Sequence, residues 1–429
     1  MLVKIKDIAT SIGSGITPLK SNEKFWNSND IPWLKTDQLG QFEITEVNEY
    51  ISQQAFEDTS IKKWPINTIS VAMYGEGKTR GNVSILKIET TTNQACCNIV
   101  VDETKAYFKY VYYFLKANYL NLRGLSAGIR KNLNSENIKN FPIELPSLQI
   151  QKLIGDTLYN IDSKIANNNA ISKELESMAR TIYDYWFLQF EFLDEDGKPY
   201  KSNGGKMVWN DQLKQEIPEG WKVASLASLI AEIKGGDWGR AEAIGNYVEE
   251  VNCIRGADFP GIVKALSVDI PKRFINKKNK NKILESGDLI IEISGGSPIQ
   301  STGRICYIND VTLKRFSNPI VTSNFCKAIK LNNSGYQSWF YLTWDGIYEN
   351  DIFFNFEGKT TGIKNLMFNS FISDVEFAIP NKKVVKQFNK HVLQMFNKIQ
   401  LNAIENQELK SLRDFLLPLL MNGQVEIDD

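Results

Sequence analysis

The side chains that most often carry catalysis are scarce in this 429-residue sequence. Its single histidine, His391, lies in an amphipathic helical stretch, so a Ser-His-Asp or Cys-His mechanism would depend on one imidazole without converging partners. Cys96 and Cys97 are adjacent and no Cys-x-x-Cys spacing occurs, which argues against zinc-ribbon sites. The sequence therefore predicts no catalytic site and no metal site in this chain.

A glycine-rich segment at residues 75–79 is similar to a phosphate-binding loop but breaks its pattern. The motif G-x-x-x-x-G-K-[ST] needs glycine at position 72, where the chain has Ala72. The residues that follow alternate like a strand, whereas a phosphate loop opens a helix. We therefore predict a hairpin that carries Lys78, Thr79 and Arg80 outward, and no nucleotide hydrolysis.

Composition and charge narrow the possible partners. Lys+Arg and Asp+Glu both number 50, so the formal net charge is zero and a strongly basic, freestanding nucleic-acid binder is excluded. No stretch approaches the ~20 apolar residues of a membrane span, and the first residues do not have the apolar core of a secretory signal. With five scattered cysteines, we expect a cytoplasmic protein with buried thiols.

Two long segments, which follow Pro146 and Pro380, show heptad spacing. Apolar residues and one asparagine recur at steps of three and four, and each residue of the first set has a counterpart 234 positions later. We predict that the two helices pair as an antiparallel coiled coil, with Asn168 and Asn402 approaching each other, and that Pro418 kinks or ends the second helix. The predicted seam residues are Ile154, Leu158, Ile161, Ile165, Asn168, Leu175, Met178 and Ile182, then Phe388, Val392, Met395, Ile399, Asn402, Leu409, Leu412 and Leu416.

The segments before the two helices also resemble each other. Their short alternating runs, bounded by Gly, Asn, Ser and Pro, predict mainly β structure with a few helices. The chain is therefore predicted to have an α+β fold with a pseudo-twofold internal repeat. Its predicted parts are a globular domain at 1–145, a central helix at 146–190, a linker at 191–217, a second globular domain at 218–380 and a C-terminal helix at 381–429.

This organisation resembles the specificity (S) subunits of Type I restriction-modification enzymes over nearly the whole chain. The likeness rests on the repeat, the two coiled-coil helices, the paired phrases Leu34-Lys35-Thr36 and Ile254-Arg255-Gly256, and the linker from Asp196 to Trp221. The resemblance implies a non-catalytic subunit with two target recognition domains. Each domain would read one half of an asymmetric, bipartite DNA target, and the coiled coil would set the spacer.

The resemblance also implies partners and cofactors. Two methyltransferase (M) subunits and two restriction/motor (R) subunits would dock on this chain and bind double-stranded DNA with it. Adenine methylation with S-adenosylmethionine, and cleavage with ATP and Mg, would take place in those subunits as part of phage defence. Two alternatives stay open: a specificity subunit of a methyltransferase-only or Type II-like system, and a coiled-coil scaffold that bridges two protein- or carbohydrate-binding β modules.

Candidate DNA contacts are Arg, Lys, Asn, Gln and neighbouring residues on loops, since such side chains read base edges. Residues 1–145 carry 17 Lys+Arg against 15 Asp+Glu, and residues 218–380 carry 18 of each, so positive charge must be concentrated on one face or supplied by partners. The basic run at 272–282 is predicted to be a poorly structured loop. The predicted DNA-binding residues are Lys35, Thr36, Gln38, Lys78, Thr79, Arg80, Arg130 and Lys131, then Trp238, Arg240, Arg255, Arg304, Lys359, Thr360 and Lys364.

Overall fold

A computed structural model describes residues 1–75, 77–126, 132–295, 299–360 and 363–425. The chain divides into two compact units: unit 1 comprises Met1–Ala166 with Glu408–Asp429, and unit 2 comprises Asn167–Gln407. Because the division cuts both long helices, each unit contains a globular part and one segment of each helix.

Unit 1 is built on a five-stranded sheet with the order β2-β9-β6-β7-β4, beside a three-stranded sheet β5-β3-β8 and the pair β1-β10. Its strands are β1 Leu2–Lys4, β2 Ala9–Ser14, β3 Ile31–Leu34, β4 Glu43–Ile44, β5 Glu49–Ile51, β6 Ile69–Ala72, β7 Val83–Leu86, β8 Thr91–Thr92, β9 Cys96–Val101 and β10 Pro142–Glu144. Its short helices are α1 Gln53–Asp58, α2 Phe108–Ala117, α3 Tyr119–Gly124 and α4 Ser135–Lys139. β6 and β7 are buried at every position, which is why their sequences are continuously apolar or small rather than alternating.

Unit 2 repeats this topology. Its four-stranded sheet has the order β14-β21-β17-β19, beside β16-β15-β20 and the pair β13-β24. The strands are β11 Met207–Asn210, β12 Gln215–Pro218, β13 Lys222–Ser225, β14 Ile230–Gly235, β15 Tyr247–Ile254, β16 Lys272–Asn276, β17 Leu289–Glu292, β18 Ser294–Gly295, β19 Ile305–Tyr307, β20 Ile320–Thr322, β21 Cys326–Leu331, β22 Glu357–Thr360, β23 Ile363–Leu366 and β24 Glu376–Ile379. The helices are α5 Leu148–Tyr183, which begins in unit 1 and continues as a π-helical turn at Asp184–Leu188, then α6 Phe259–Val263, α7 Asp310–Leu313, α8 Gln337–Glu349, α9 Phe368–Asp374 and α10 Lys382–Met421.

The strand pairing confirms the internal repeat in detail. β3 pairs antiparallel with β5 and parallel with β8, and β15 pairs antiparallel with β16 and parallel with β20. The strand orders β2-β9-β6-β7 and β14-β21-β17-β19 correspond one to one. The hairpin β11-β12 and the sheet β18-β23-β22 have no counterpart among the described residues of unit 1.

The segment predicted as a linker, residues 191–217, is ordered against the core of unit 2. It contains β11 and most of β12, which pair antiparallel. Phe192 stacks between Tyr200 and Trp221, with ring centroids 4.6 and 5.5 Å away. This aromatic stack is why the segment packs rather than remaining a flexible connection.

Both units contain an antiparallel helix pair, as predicted. In unit 2 the ring of Phe388 lies 4.8 Å from that of Phe187, while Asn402, further along α10, contacts Asn168, which comes earlier in α5. In unit 1, Arg413 forms an ion pair with Asp162 at 2.6 Å. In unit 2, residue numbers thus rise along one helix as they fall along the other.

The asparagines at the predicted centre of the seam make matching contacts. Asn168 Nδ2 donates to Asn406 Oδ1 (3.0 Å), and Asn402 Nδ2 donates to the Ser172 hydroxyl (3.1 Å) and to the Asn168 carbonyl (3.2 Å). Asn402 and Asn406 lie 234 residues after Asn168 and Ser172. The Asn168–Asn406 contact is therefore related to the Asn402–Ser172 contact by the pseudo-twofold repeat. Buried amides of this kind fix the register of a helix pair.

Two predicted seam residues are wrong. Met178 and Leu412 are 49% and 47% exposed, whereas Ala179 beside Met178 is buried and Arg413 beside Leu412 is half-buried. Apolar spacing misplaced the seam here because a small and a charged residue occupy it. The other predicted seam residues are buried or partly buried: Ile154, Leu158, Ile161, Ile165, Asn168, Leu175, Ile182, Phe388, Val392, Met395, Ile399, Asn402, Leu409 and Leu416.

The predicted end of the helix at Pro418 is wrong, because α10 continues through this residue to Met421, while a kink there stays a prediction. A proline inside a helix removes the hydrogen bond to the carbonyl four residues earlier. Only one further turn follows Pro418, and Leu420 in that turn is buried in the core of unit 1. We infer that this burial offsets the lost hydrogen bond.

Candidate nucleic-acid interface

In unit 2, the segment after β14 passes so close to a neighbouring segment that only glycine fits. A Cβ on Gly236 would lie 1.9 Å from the carbonyl oxygen of Ser323. Two residues further on, the Trp238 N–H donates to the Asn324 side chain (3.2 Å). The backbone is therefore fixed where it presents two predicted DNA contacts, Trp238 and Arg240.

The basic run at 272–282 packs on this segment. The Arg273 guanidinium lies 4.4 Å from the centre of a Trp238 ring, and its Nε donates to the Trp238 carbonyl (3.0 Å). Lys282 Nζ donates to the Gly236 carbonyl at 3.0 Å. The prediction of a poorly structured loop is wrong, because residues 272–276 form β16 and residues 277–282 form a 3-10 turn.

Some of the surrounding positive charge is not neutralised. Arg240 is exposed, with its guanidinium 4.8 Å from the Tyr247 ring centre. Lys277 and Lys278 are exposed and form no ion pair with any described residue. We call Trp238, Arg240, Tyr247, Arg273, Lys277 and Lys278 the unit 2 cluster; its lysine neighbours Lys272 and Lys280 pair with Glu250 and Glu249.

Unit 1 has a corresponding cluster that sequence reasoning missed. A Cβ on Gly15 would lie 1.8 Å from the Thr92 carbonyl oxygen, the same close approach as at Gly236. Beyond it, Lys20 Nζ lies 4.1 Å from the ring centre of Trp26. We call Lys20 and Trp26 the unit 1 cluster. The alignment of Gly15 with Gly236 was the available signal, because it marks the loops that follow as equivalent.

The glycine-rich segment of unit 1 forms the predicted hairpin, but of the three residues predicted to point outward only Lys78 is exposed, and Thr79 and Arg80 are half-buried. It joins the antiparallel strands β6 and β7, and Lys78 at its tip is exposed. Tyr119 of α3 donates its hydroxyl to the Lys78 carbonyl (2.7 Å), and Arg123 donates to the Arg80 carbonyl (3.3 Å). α3 thereby holds the turn that contains Lys78, half-buried Thr79 and Arg80.

Lys35 and Arg255 occupy equivalent places, but both are engaged within the protein. Each directly precedes a 3-10 turn, which begins at Thr36 in unit 1. Lys35 pairs with Glu49, and Arg255 donates two hydrogen bonds to Asp258, at 3.0 and 2.8 Å. These contacts give both side chains a structural role, and a role in reading bases remains a prediction.

Three other candidates are largely enclosed by internal partners. The Gln38 amide donates to the Glu46 carbonyl (3.2 Å) and accepts from the Asn48 N–H (3.1 Å). Arg304 donates two hydrogen bonds to the Glu292 carboxylate, at 2.8 and 2.6 Å. Lys364 pairs with Glu357 at 3.0 Å. These geometries favour the unit 2 cluster over the enclosed residues as the DNA-contacting surface.

The structure gives no side-chain position for four of the predicted DNA-binding residues. Arg130 and Lys131 lie outside the described residues, as do the side chains of Lys359 and Thr360.

Groups that could support catalysis are not assembled in the described part of the chain. His391 is an exposed residue of α10, and all five cysteines are buried free thiols. Burial raises the pKa of Cys96 and Cys306 to about 12, so neither thiol is a ready nucleophile. Within the described ranges, no His, Cys, Asp and Glu side chains group in threes to hold a metal ion, and no helix is long and apolar enough to cross a membrane.

The duplicated module and the antiparallel helix pair are accompanied by similarity to one class of DNA-specificity protein. Residues 1–177 match the family of the Type I restriction modification DNA specificity domain. The resemblance seen in the sequence is confirmed by this match and by the relatives that follow.

Three relatives share this similarity. The chain is 27% identical to the Type I restriction enzyme MjaIX specificity subunit of Methanocaldococcus jannaschii over 439 residues, which covers 99% of this chain and 93% of that one. It is 24% identical to the EcoR124I/EcoR124II specificity subunit of Escherichia coli over 184 residues, 42% of this chain and 45% of that one. The crystal structure of the S subunit from M. genitalium shares the fold, with a TM-score of 0.60, 17% identity and coverage of 98% and 95%.

Proposed function

We propose that this chain is the DNA-specificity subunit of a Type I restriction-modification complex and that each unit reads one half of a bipartite target. The observation that carries this proposal is the recurrence of one strand order in both units with different side chains on the equivalent loops. Two domains that share a strand order but present different side chains are suited to binding two different half-sites. The similarity to Type I specificity subunits over nearly the whole chain supports the same conclusion.

The unit 2 cluster supplies the chemistry that DNA contact needs. Exposed Arg240 can donate two hydrogen bonds to a guanine edge, while Lys277 and Lys278 suit phosphate oxygens. Trp238 and Tyr247 hold Arg273 and Arg240 by their ring faces, which limits the freedom of these long side chains before DNA arrives. In unit 1, Lys20 on Trp26 and exposed Lys78 offer the corresponding contacts.

Catalysis in the proposed complex belongs to partner subunits. Two M subunits would bind S-adenosylmethionine and methylate adenine, and two R subunits would use ATP and Mg to cleave unmodified DNA in the cytoplasm. The paired helices would set the length of the unread spacer. Because the chain has no net charge, we expect it to bind DNA weakly alone and more tightly with M subunits that add phosphate contacts.

The test is a gel mobility shift with random-sequence and genomic DNA at several salt concentrations, with and without the M subunit, followed by methylation mapping. We expect the assembled complex to methylate one split, asymmetric motif. Methylation without ATP-dependent cleavage by any R subunit would favour a methyltransferase-only system. A complex without sequence preference would refute the proposal and favour the scaffold alternative.

A further inference from the structure

A buried group of charges links α2, α5 and α10 in unit 1. Asp162 is 4% exposed, and its carboxylate pairs with Arg413 at 2.6 Å and with Lys116 at 3.1 Å. Tyr113 of α2 donates its hydroxyl to the same carboxylate at 2.8 Å. Next along α10, Asp414 accepts from Arg413 and acts electrostatically on Lys116. Here α10 contributes an acid, the exposed Asp414, and the globular part contributes a base, Lys116.

The equivalent place in unit 2 has the opposite polarity. The repeat offset of 234 places Phe396 where unit 1 has Asp162, and Ala179 where it has Arg413. Phe396 packs edge-on against Tyr341 of α8 at 5.3 Å, so the centre of this site is apolar. The counterpart of Asp414 is Arg180, which pairs with Asp345 of α8 at 2.6 Å. Here the long helix contributes the base and the globular part the acid.

The polarity matters because the Asp162–Arg413 and Arg180–Asp345 pairs join the first half of the chain, residues 1–203, to the second half, residues 204–429. If two first halves paired through the same seam, Asp162 would face Ala179 of the other copy, and Arg180 would approach Lys116. If two second halves paired, Arg413 would face Phe396, and Asp414 would approach Asp345. Each like pairing therefore removes the Asp162–Arg413 pair, although Asp162 keeps Lys116 and Arg413 keeps Asp414. It also brings equal charges together, which is costly.

The central asparagines do not make this distinction. By the repeat offset, a pair of first halves could make the Asn168–Ser172 contact twice, and a pair of second halves could make the Asn402–Asn406 contact twice. These two contacts fix the register and can form with either partner. Asn168–Glu405 (2.8 Å) and Asn169–Asn406 (2.9 Å) form only between unlike halves, because the repeat places Ile171 and Ala403 at the equivalent positions. Opposition of like halves by charge comes from Asp162, Arg413, Arg180 and Asp345.

We propose that these oppositely polarised ion pairs make the two halves of the chain selective for each other and prevent association of like halves from two copies of the chain. The selectivity acts between neighbouring copies, where identical seams would otherwise allow symmetric mispairing. When two pairs of unlike halves are replaced by two pairs of like halves, all ion pairs between the halves are lost. We therefore expect pairs of like halves to be at least ~100-fold rarer than pairs of unlike halves.

The test starts from the full chain with a protease site inserted between Asn203 and Gly204, in an exposed turn. The folded protein is cleaved, unfolded in urea and refolded at pH 8, where Asp345, whose pKa burial raises to about 6, is ionised. Native mass spectrometry then counts mixed and like pairs. We expect only mixed pairs. Like pairs in statistical proportion would overturn the proposal.

A quadruple variant, D162L/R413L/R180L/D345L, replaces these charges by apolar residues, and it leaves Lys116 without its carboxylate partner. We expect its like pairs to rise at least ~10-fold over those of the parent protein. Asn402→Ala is the matched control, because it removes a seam contact that either pairing can make, and it should leave only mixed pairs. Like pairs that stay absent in the quadruple variant would contradict the proposal.

A charge swap keeps the test decisive if the quadruple variant does not fold. In R180D/D345R the ion pair is retained with reversed polarity. When cleaved swap protein is refolded with an isotope-labelled parent, we expect each first half that is found in a mixed pair to be joined to its own second half. Free mixing between swap and parent halves would show that the charges do not decide the pairing.

Discussion

Unit 1 and unit 2 have the same frame but different contact surfaces. A Cβ atom added to Gly15 would lie 1.8 Å from the nearest carbonyl oxygen, and one added to Gly236 would lie 1.9 Å from the equivalent oxygen. Beyond these glycines, unit 1 places Lys20 on Trp26, whereas unit 2 holds Trp238 under Arg273. The sheet and its close approaches are therefore constrained, while the loops between them differ in the side chains that we propose for DNA contact.

The largest expected effect comes from lengthening both helices between the units. One heptad inserted after Ala166 in α5 and another after Gln407 in α10 adds ~10 Å of helix, which corresponds to ~3 base pairs. Methylation mapping should show the same two half-sites with a spacer longer by a few base pairs. An insertion in one helix alone, as control, should impair folding because the seam loses register. An unchanged spacer would refute the proposed role of the helices.

The closely packed glycines, Gly15 in unit 1 and Gly236 in unit 2, should tolerate no side chain. Gly236→Val would place atoms on the Ser323 carbonyl, and we expect a loss of about 3 kcal/mol in the free energy of unfolding, measured in urea. Gly235→Ala is the matched control, since a Cβ there meets nothing within 4 Å. Equal stability of the two variants would contradict the close approach.

Enclosed and exposed arginines of unit 2 should behave differently. Arg304→Ala leaves Glu292, which is 5% exposed, without its partner, so we expect a loss of about 3 kcal/mol in stability. Arg240→Ala should change stability by less than about 0.5 kcal/mol, because Arg240 is exposed. Thermal unfolding of both variants checks this contrast, and a destabilising Arg240→Ala would mean that Arg240 is structural.

The free lysines of the unit 2 cluster should contribute mainly through phosphate contacts. In the complex with M subunits, K277A/K278A should lower affinity for all sequences alike and reduce the slope of log affinity against log salt by about 2. The ion-paired lysine Lys280 provides the control, since K280A should have a smaller effect. A change in sequence preference, rather than in the salt slope, would assign these lysines to bases.

The smallest expected effect is a pH dependence of unit 1. Burial alone would raise the pKa of Asp162, but Lys116 and Arg413 outweigh it and hold the pKa below the usual value. The folded pKa lies below the unfolded one, so the stabilisation is present above about pH 4 and is lost as the pH falls. Asp162→Asn should therefore flatten the stability profile below about pH 4, measured by urea unfolding at each pH. An unaltered profile would mean that Asp162 does not carry the effect.

Much of the fold follows from the repeat, because 234-residue spacing of the seam and matching glycines are visible in the sequence alone. The prediction of the seam failed at Met178 and Leu412 because the small Ala179 and the charged, half-buried Arg413 take these places, and neither stands out in a pattern of large apolar residues. The site was harder to predict. A sequence gives the type of Arg304 but not the carboxylate that encloses it, so enclosed and free arginines look alike until the fold brings their partners together.

The most direct test compares the two clusters by methylation mapping. In assembled complexes, W238A/R240A should relax base preference in one half of the target and leave the other half and the spacer unchanged. K20A/W26A should relax the opposite half. If either variant altered both halves, or if both variants altered the same half, the claim that each unit reads its own half-site would be contradicted.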